Sequence, residues 1–452
     1  MALKGLDIFK LSPKKNCKEC GSPTCMAFSM KVAQGAVDIS ACPYFSEEAK
    51  ATLSEATAPP MKTIKVGTGD SELTLGGETV LQRHEKTLVS RTRYAVSLCN
   101  CMDEATIEAK LAAIPTVDYE RIGERMYAEL IYINYSAEGS YDYVELVKKA
   151  AGLNRVLILG CEDPEVAKAA LAVCKEGKPI LNGATAANCE AMNEVAKEAG
   201  VALGVKGADI DDLYDTVVKL EGMGNKNLLI DCGTKSIKEA YAIAVQFRRA
   251  AIKDGNRSCG YPSIVNAAVL AKGDMHLQAA LASLFTINYG SIIVLEEMSY
   301  AAALPLYGLR QNVFTDPQKP MKVTPGIYPI NGGDENSICL TTVDFALTYF
   351  VVSGELERSG VPCNLIISDA GGLSVLTSWA AGKFSATSIA KYWEEADIAG
   401  KIKNRTLVLP GKVAVLKGEV EAKLPGWNVI VGPTEAVQLV KFLKDLQAQG
   451  QA

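Results

Sequence analysis

Short apolar runs of four to six residues alternate along this chain with longer segments whose apolar positions recur every three or four residues. Between about Lys62 and Phe314 the short runs are Tyr94–Leu98, Leu130–Asn134, Arg155–Gly160, Val201–Val205, Leu228–Asp231, Ser263–Asn266 and Ile292–Leu295. Most are apolar almost throughout, as strands covered on both faces are. The segments between them, such as Pro164–Glu176 and Ala187–Ala199, are rich in Ala, Glu and Lys at helical spacing. Strand–helix alternation over about 250 residues predicts a parallel sheet, and that length suits a closed eight-stranded barrel. The eighth strand is weakly marked, and Lys178–Leu181 is the segment assigned to it.

Two breaker stretches bound this middle region. Ala51–Pro60 is rich in Thr, Ala and Pro and ends in Ala58-Pro59-Pro60, which reads as a linker because consecutive prolines stiffen the backbone and remove donors. Asp316-Pro317-Gln318-Lys319-Pro320 is the second. Beyond it the predicted strands are Cys363–Ser368, Thr406–Leu409, Val413–Leu416 and Asn428–Val431. The predicted helices there are Asn336–Val352, Ser374–Ala381, Ala386–Glu395 and Thr434–Leu446. In the last, Ala436, Leu439, Val440, Leu443 and Leu446 form one apolar stripe. The expectation is an α/β chain of three domains: residues 1–57, a (β/α)8 TIM-like barrel over 58–316, and a small doubly wound, Rossmann-like domain over 317–452.

Composition narrows the function classes. Apolar residues make up 48% and charged residues 22% of the 452, which excludes a largely disordered chain. Lys plus Arg number 47 against 52 Asp plus Glu, so the net charge of −5 provides no overall basic field for nucleic acid. No uncharged apolar stretch reaches about 18 residues, and the nearest, Ser291–Leu309, is broken by Glu296 and Glu297. Met1–Lys15 lacks the apolar core of a secretory signal. A cytoplasmic, reducing location without membrane attachment is therefore expected. The unusual counts are 13 cysteines and 2 histidines, His84 and His276. An odd number of cysteines cannot all pair within the chain, and two distant histidines make no His-rich metal site.

Four cysteines fall in the spacing Cys17-x2-Cys20-x4-Cys25-x16-Cys42. Cys17 and Cys20 can share one tight turn, Gly21 and Pro23 open a loop to Cys25, and Cys42 returns after a predicted helix, Met26–Val37. Four thiolates suit a cubane cluster, one per iron, and Pro43 follows the last cysteine as in bacterial ferredoxin runs. Structural zinc also takes four cysteines, but usually from two short knuckles, so the spacing favours iron–sulfur. Either metal would have to stabilise a segment this small.

Two loops of the third domain should lie beyond the carboxyl ends of strands, where open α/β sheets bind ligands. They are Asp369-Ala370-Gly371-Gly372-Leu373-Ser374 and Gly432-Pro433-Thr434-Glu435; Asn331-Gly332-Gly333-Asp334 is a third glycine loop. None matches the dinucleotide fingerprint of three spaced glycines, and alone each also reads as an ordinary turn or cap. This domain contains no histidine.

The cysteine spacing, the barrel-length middle and the tail segments Pro325-Gly326-Ile327-Tyr328, Ser368–Ser374 and Val431-Gly432-Pro433 together resemble the large (gamma) subunit of the corrinoid iron–sulfur proteins of acetyl-CoA synthesis, over essentially the whole chain. The resemblance implies a methyl carrier. In that family a cobamide accepts methyl from methyltetrahydrofolate on a separate methyltransferase and passes it to acetyl-CoA synthase. A 4Fe-4S cluster, ligated here by Cys17, Cys20, Cys25 and Cys42, serves reductive reactivation of Co(II) to Co(I), fed by an activator or low-potential electron donor. The resemblance also implies a heterodimer with a smaller subunit and a base-off cobamide with no histidine beneath the metal. The histidine-free tail agrees with that, and it lacks the Asp-x-His-x-x-Gly pattern of cobalamin-dependent methionine synthases. The cobamide contacts so implied are Thr341, Thr342, Phe345, Ala346, Asp369, Ala370, Gly371, Gly372, Leu373, Ser374, Gly432, Pro433, Thr434 and Glu435. Backbone groups around Ala370–Leu373 and Gly432–Thr434 would supply polar partners, and Phe345 and Tyr349 would either wall the pocket or pack as core.

The barrel itself shows no catalytic set. Asp231, Glu296 and Glu297 lie at predicted strand ends, but adjacent residues of a strand point to opposite faces, so Glu296 and Glu297 make no acid–base pair. A scaffold is expected, with Cys99 and Cys101 as buried thiols and Arg248-Arg249 as solvated surface. The competing readings are an electron-transfer or scaffold iron–sulfur subunit without corrinoid, and a self-sufficient barrel methyltransferase.

Overall fold

The structure, a computed structural model, describes residues 5–33, 37–46, 59–316 and 321–450. Most of the Ala51–Pro60 linker, residues 317–320 of the second breaker and part of the predicted helix Met26–Val37 lie outside the described residues. The chain divides into two compact units, Met1–Tyr119 with Arg125–Phe314 and Glu120–Glu124 with Thr315–Ala452.

In the first unit, β1 (Thr63–Val66) and β2 (Leu73–Gly76) pair antiparallel. The ribbon hydrogen-bonds to backbone just before two barrel strands, at Lys178 and Gly260, and so lies across the amino-terminal end of the barrel. The barrel follows as β3 (Arg93–Cys99), then, after the paired β4 (Asp118–Arg121) and β5 (Glu124–Tyr127), β6 (Leu130–Asn134), β7 (Val156–Gly160), β8 (Ile180–Ala184), β9 (Ala202–Val205), β10 (Leu228–Asp231), β11 (Ser263–Asn266) and β12 (Ile292–Leu295). All eight barrel strands are parallel, and β12 closes onto β3 with Val294 beside Ala95. Helices start where the sequence places an acidic cap. Asp103, Asp142, Asp163, Asp209 and Asp274 each accept N–H bonds from the first turn that follows. The predicted eighth strand begins two residues late, because Lys178 is in the left-handed conformation that ends a 3-10 turn. It also runs on through Asn182 and Gly183, which no hydrophobic pattern marks.

The second unit is a five-stranded sheet in the order β13 (Gly326–Ile330), β15 (Cys363–Ser368), β14 (Ile338–Val343), β16 (Thr406–Leu409) and β17 (Asn428–Val431). The last four are parallel, and β13 runs antiparallel to β15 on the edge. Side chains alternate between two cores. Cys339, Ile366, Leu407 and Val429 pack with Trp393 and Trp427, whereas Leu340, Leu365, Ile367 and Val408 pack with Leu356, Leu439 and Leu443.

Two predicted elements are overturned in this unit. The predicted helix Asn336–Val352 is strand β14 followed by the helix Ala346–Ser359. The β-branched stretch Thr341-Thr342-Val343 belongs to the sheet, and the helical period holds only beyond Asp344. The predicted strand Val413–Leu416 is a 3-10 turn, Gly411–Leu416, leading into the helix Lys417–Lys423. Val413 and Leu416 are buried three apart while Val415 is 72% exposed, a helical and not a strand pattern. Strand β13 escapes the hydrophobic pattern because Pro329 interrupts it, and an edge strand tolerates that proline. The last predicted helix is shorter than read, Leu439–Ala448 after a 3-10 turn at Ala436–Gln438.

Candidate functional site

Near the N-terminus, Cys17, Cys20, Cys25 and Cys42 line one small cavity, together with Pro13, Phe28 and Phe45. Cys25 opens the helix Cys25–Ala33, and Cys42 follows the 3-10 turn Ile39–Ala41, which Asp38 caps. Asn16 ties the first cysteine turn to that helix: its side-chain oxygen accepts from Cys25 N–H at 2.8 Å, and its own N–H donates to Cys25 Sγ at 3.3 Å. Lys14, Asn16 and Lys18 all adopt positive φ, between 48° and 66°. Such alternation turns a loop tightly at a cost of about 1–3 kcal/mol per residue, and it clusters at functional sites. Cys25 and Cys42 are buried, Cys20 is half-buried and Cys17 is exposed.

Among the described residues, no three or more His, Cys, Asp or Glu side chains are set to hold a single metal ion. Four thiols lining one cavity are the donor set that an iron–sulfur cluster or a structural zinc takes.

The remaining cysteines differ. Burial pushes the Cys161 and Cys259 thiols up to about 11, and Cys174, Cys339 and Cys363 up to about 12, as expected of inert core thiols. The expectation for Cys99 and Cys101 is corrected: they form a disulfide with a Cα–Cα distance of 5.1 Å, and Cys101 is exposed.

In the second unit a cavity of about 500 Å3 opens at the carboxyl edge of the parallel strands. Thr341, Thr342, Ser374, Gly432, Pro433, Thr434 and Glu435 line it, so both glycine loops reach it at one end. Phe345, Ala346, Asp369, Ala370, Gly371, Gly372 and Leu373 are not on its wall. Leu347 and Val351, one turn apart on the helix Ala346–Ser359, are on it, as are Lys412 and Val437. A single helix over Asn336–Val352 would not have formed that wall. Lys412 pairs with Glu435 at 3.4 Å on the rim. Thr341 Oγ1 is buried without a hydrogen-bond partner, although a buried hydroxyl left unpaired costs about 1–3 kcal/mol.

The 369–374 loop also behaves differently from expectation. Ala370 and Gly372 donate their N–H groups to Asp344 Oδ1 at 3.0 and 2.9 Å, and Gly371 donates to Asp369 Oδ1 at 3.0 Å. These three amides are satisfied inside the protein and are not turned toward the cavity. The Gly371 N–H, and then the Lys322 ammonium, hold the Asp369 carboxyl below its ordinary range.

Three acids of the barrel mouth have partners. Asp231 accepts from Asn182 Nδ2 at 2.7 Å and Gly233 N–H at 2.8 Å, Glu162 pairs with Lys206 at 3.0 Å, and Glu296 pairs with Lys110 at 2.8 Å. Glu296 and Glu297 lie just past the end of β12, so the opposite-face argument does not apply to them. Arg248 is buried rather than solvated, with Tyr289 4.9 Å from its guanidinium, and burial pushes its pKa down to about 10. No helix among the described residues is long and apolar enough to cross a membrane.

Known proteins match both regions. A family model described as "CO dehydrogenase/acetyl-CoA synthase delta subunit" matches residues 63–443, and one described as "Putative Fe-S cluster" matches residues 13–44. The corrinoid/iron-sulfur protein large subunit of Moorella thermoacetica is 39% identical over 445 residues, 98% of this chain and 99% of its own length. The acetyl-CoA decarbonylase/synthase complex subunit gamma of Methanopyrus kandleri is 34% identical, covering 98% of this chain and 97% of its own. Dihydropteroate synthase from Thermus thermophilus aligns with 55% of this chain and 99% of its own at 15% identity and a TM-score of 0.40, too slight a likeness to bear on chemistry.

Proposed function

The chain belongs to the family of corrinoid/iron–sulfur protein large subunits and acetyl-CoA decarbonylase/synthase gamma subunits, and from that premise we propose that it carries methyl groups on a cobamide held by its C-terminal unit. The observation that supports this most is the pairing, in one chain, of a four-cysteine cavity and a separate cavity at the carboxyl edge of a histidine-free parallel sheet.

In this reading Cys17, Cys20, Cys25 and Cys42 each bind one iron of a 4Fe-4S cluster. Phe28 and Phe45 keep water from one side of it, and the Asn16 N–H on Cys25 Sγ stabilises the thiolate. The cluster would return Co(II) to Co(I) with an electron from a low-potential donor or activator. A doubly wound, Rossmann-like domain, residues 317–452, holds the cobamide; residues 1–57 hold the cluster and 58–316 form the barrel. Leu340, Leu347 and Val351 offer apolar wall to the ligand, and Thr341 Oγ1 meets one of its polar groups. Lys412 on the rim suits the negatively charged phosphate of the cobamide tail. This unit contains no histidine and so offers the metal no imidazole, a composition that would suit a base-off cobamide. A cobamide bound there would supply a nucleophilic Co(I) for carrying methyl from methyltetrahydrofolate, on a methyltransferase, to acetyl-CoA synthase. A smaller subunit completes a cytoplasmic heterodimer. The partners that hold Asp231, Glu162 and Glu296 favour a scaffold over a self-sufficient methyltransferase.

Anaerobic purification with the small subunit tests the proposal. About four irons per cobalt are expected, with corrinoid absorbance that changes on methylation. Iron without corrinoid overturns it in favour of an electron-transfer subunit.

A further inference from the structure

Asp344 immediately follows β14 and is fully buried. A buried carboxylate is costly unless hydrogen bonds and a cation compensate it. The next helix, Ala346–Ser359, starts at Phe345 with no side-chain cap, although an aspartate one position earlier is the residue type that caps best. Asp344 instead reaches across to the loop after β15, where its Oδ1 accepts from both Ala370 and Gly372 N–H. Lys322 Nζ lies 3.4 Å from its other oxygen and 3.5 Å from Asp369 Oδ1. The backbone binds the same segments: Val323 N–H donates to Asp344 C=O at 2.8 Å, and Ala346 N–H to Met321 C=O at 3.0 Å. One side chain thus holds three pieces of chain together.

The loop needs holding. Gly371 and Gly372 are consecutive residues at φ +74° and +72°, a region that glycine enters freely but also leaves freely. The loop ends at Ser374, which caps the helix Val375–Ala380, and Ser374, Val375 and Leu376 are cavity wall. The amides bound by Asp344 cannot serve a ligand at the same time, so the loop contributes shape and not donors.

We propose that Asp344 is a positioning residue for the cobamide site: its buried carboxylate fixes the 369–374 loop so that Ser374 and the following helix stand in the cavity wall before the ligand arrives. The inference rests on the cavity being the cobamide site. Asp344→Ala and Asp344→Asn, each purified with the small subunit, test it through cobamide release, followed as cobalt lost on gel filtration, and through amide exchange of residues 369–374 in cobamide-free protein. Asp344→Ala should speed both by at least about tenfold, as loss of two charge-assisted hydrogen bonds implies. Asp344→Asn keeps one acceptor oxygen for the two N–H groups and should restore both to within about threefold of the parent. Iron content and barrel-peptide exchange should not change in either variant. If the parent protein binds no cobalt, the cobamide reading fails whatever the variants do. If the parent binds cobalt and Asp344→Ala releases it at the parent rate, or the loop exchange is unchanged, the positioning role is overturned alone. Release that is equally fast in Asp344→Ala and Asp344→Asn also overturns it, because charge and not loop shape would then be the cause.

Discussion

The carboxylate of Glu129, just before β6, meets the guanidinium of Arg310 in the last barrel helix, Tyr300–Val313, with each side chain 1% exposed. Tyr94 N–H donates to the other Glu129 oxygen at 3.1 Å, so the pair joins β3, β6 and the closing helix. Breaking a buried pair from one side strands a charge, at a cost of about 3–5 kcal/mol, whereas removing both partners costs much less. Arg93 also lies 3.4 Å from the Glu129 oxygen that Arg310 meets, so Arg310→Met leaves that carboxylate one cation and should destabilise the barrel by less than that full amount in chemical denaturation. The double variant Glu129→Gln/Arg310→Met should recover part of the loss, and additive effects in the cycle would show that the two residues act independently.

The cysteine segment leads to a prediction about metal removal. The apolar core of its described part is only Ile8, Phe28, Val32, Ile39, Cys42 and Phe45, too few to hold about 40 residues folded without a metal. Stripping iron with a chelator should raise amide exchange across residues 5–46 to near unfolded rates and leave the barrel strands protected. Cys20→Ala should act likewise: it should abolish reductive reactivation of Co(II) while sparing methyl transfer by protein already poised at Co(I). Loss of both activities together would point to a structural role for the segment.

Thr341 separates ligand binding from stability by sign. Its hydroxyl is buried with no hydrogen-bond partner within the protein, so Thr341→Val should leave protein stripped of cobamide equally stable or raise its stability by about 1 kcal/mol. If the cobamide meets this hydroxyl, the same substitution should weaken retention several-fold. Thermal unfolding of the two forms checks both halves, and weaker retention with lower apo stability would mean that the change simply damages the sheet.

What the sequence revealed follows what periodicity can carry. Leu130–Asn134, Leu228–Asp231 and Ile292–Leu295 were legible to the residue because both faces of a parallel strand are covered and the run is apolar throughout. The strand through Asn182 and Gly183 was blurred because Asn182 turns a polar side chain to Asp231 inside the barrel and Gly183 has no side chain to extend the apolar run. The C-terminal cavity was only half legible. Gly432–Glu435 and Thr341-Thr342 announced themselves by glycine and hydroxyl chemistry, but Leu347 and Val351 reach the cavity only because a strand ends at Val343 and a helix starts anew at Ala346. Asp344, the residue that shapes the neighbouring loop, carries no local signal, because its partners lie 26 and 28 residues away.

Gly371 and Gly432 distinguish two ways of disturbing the same cavity. Gly371, one of the cobamide contacts that the resemblance implies, is not on the wall, and a Cβ there would meet the flexible end of Lys383. Its φ of +74° makes the penalty conformational, about 1–2 kcal/mol for an L side chain. At Gly432, which does line the cavity, a Cβ would come within 2.9 Å of Val408 Cγ1 and 3.1 Å of Leu409 C=O, driving β17 and its loop away from β16. Gly371→Val should therefore loosen the 369–374 loop, seen as faster amide exchange, and reduce cobamide retention only through it. Gly432→Val should reduce retention directly and shift exchange in 432–437 while leaving 369–374 unchanged. If both variants retained cobalt like the parent protein, the ligand would not depend on this edge of the sheet; if Gly371→Val alone lost it, retention would depend on the 369–374 loop and not on Gly432.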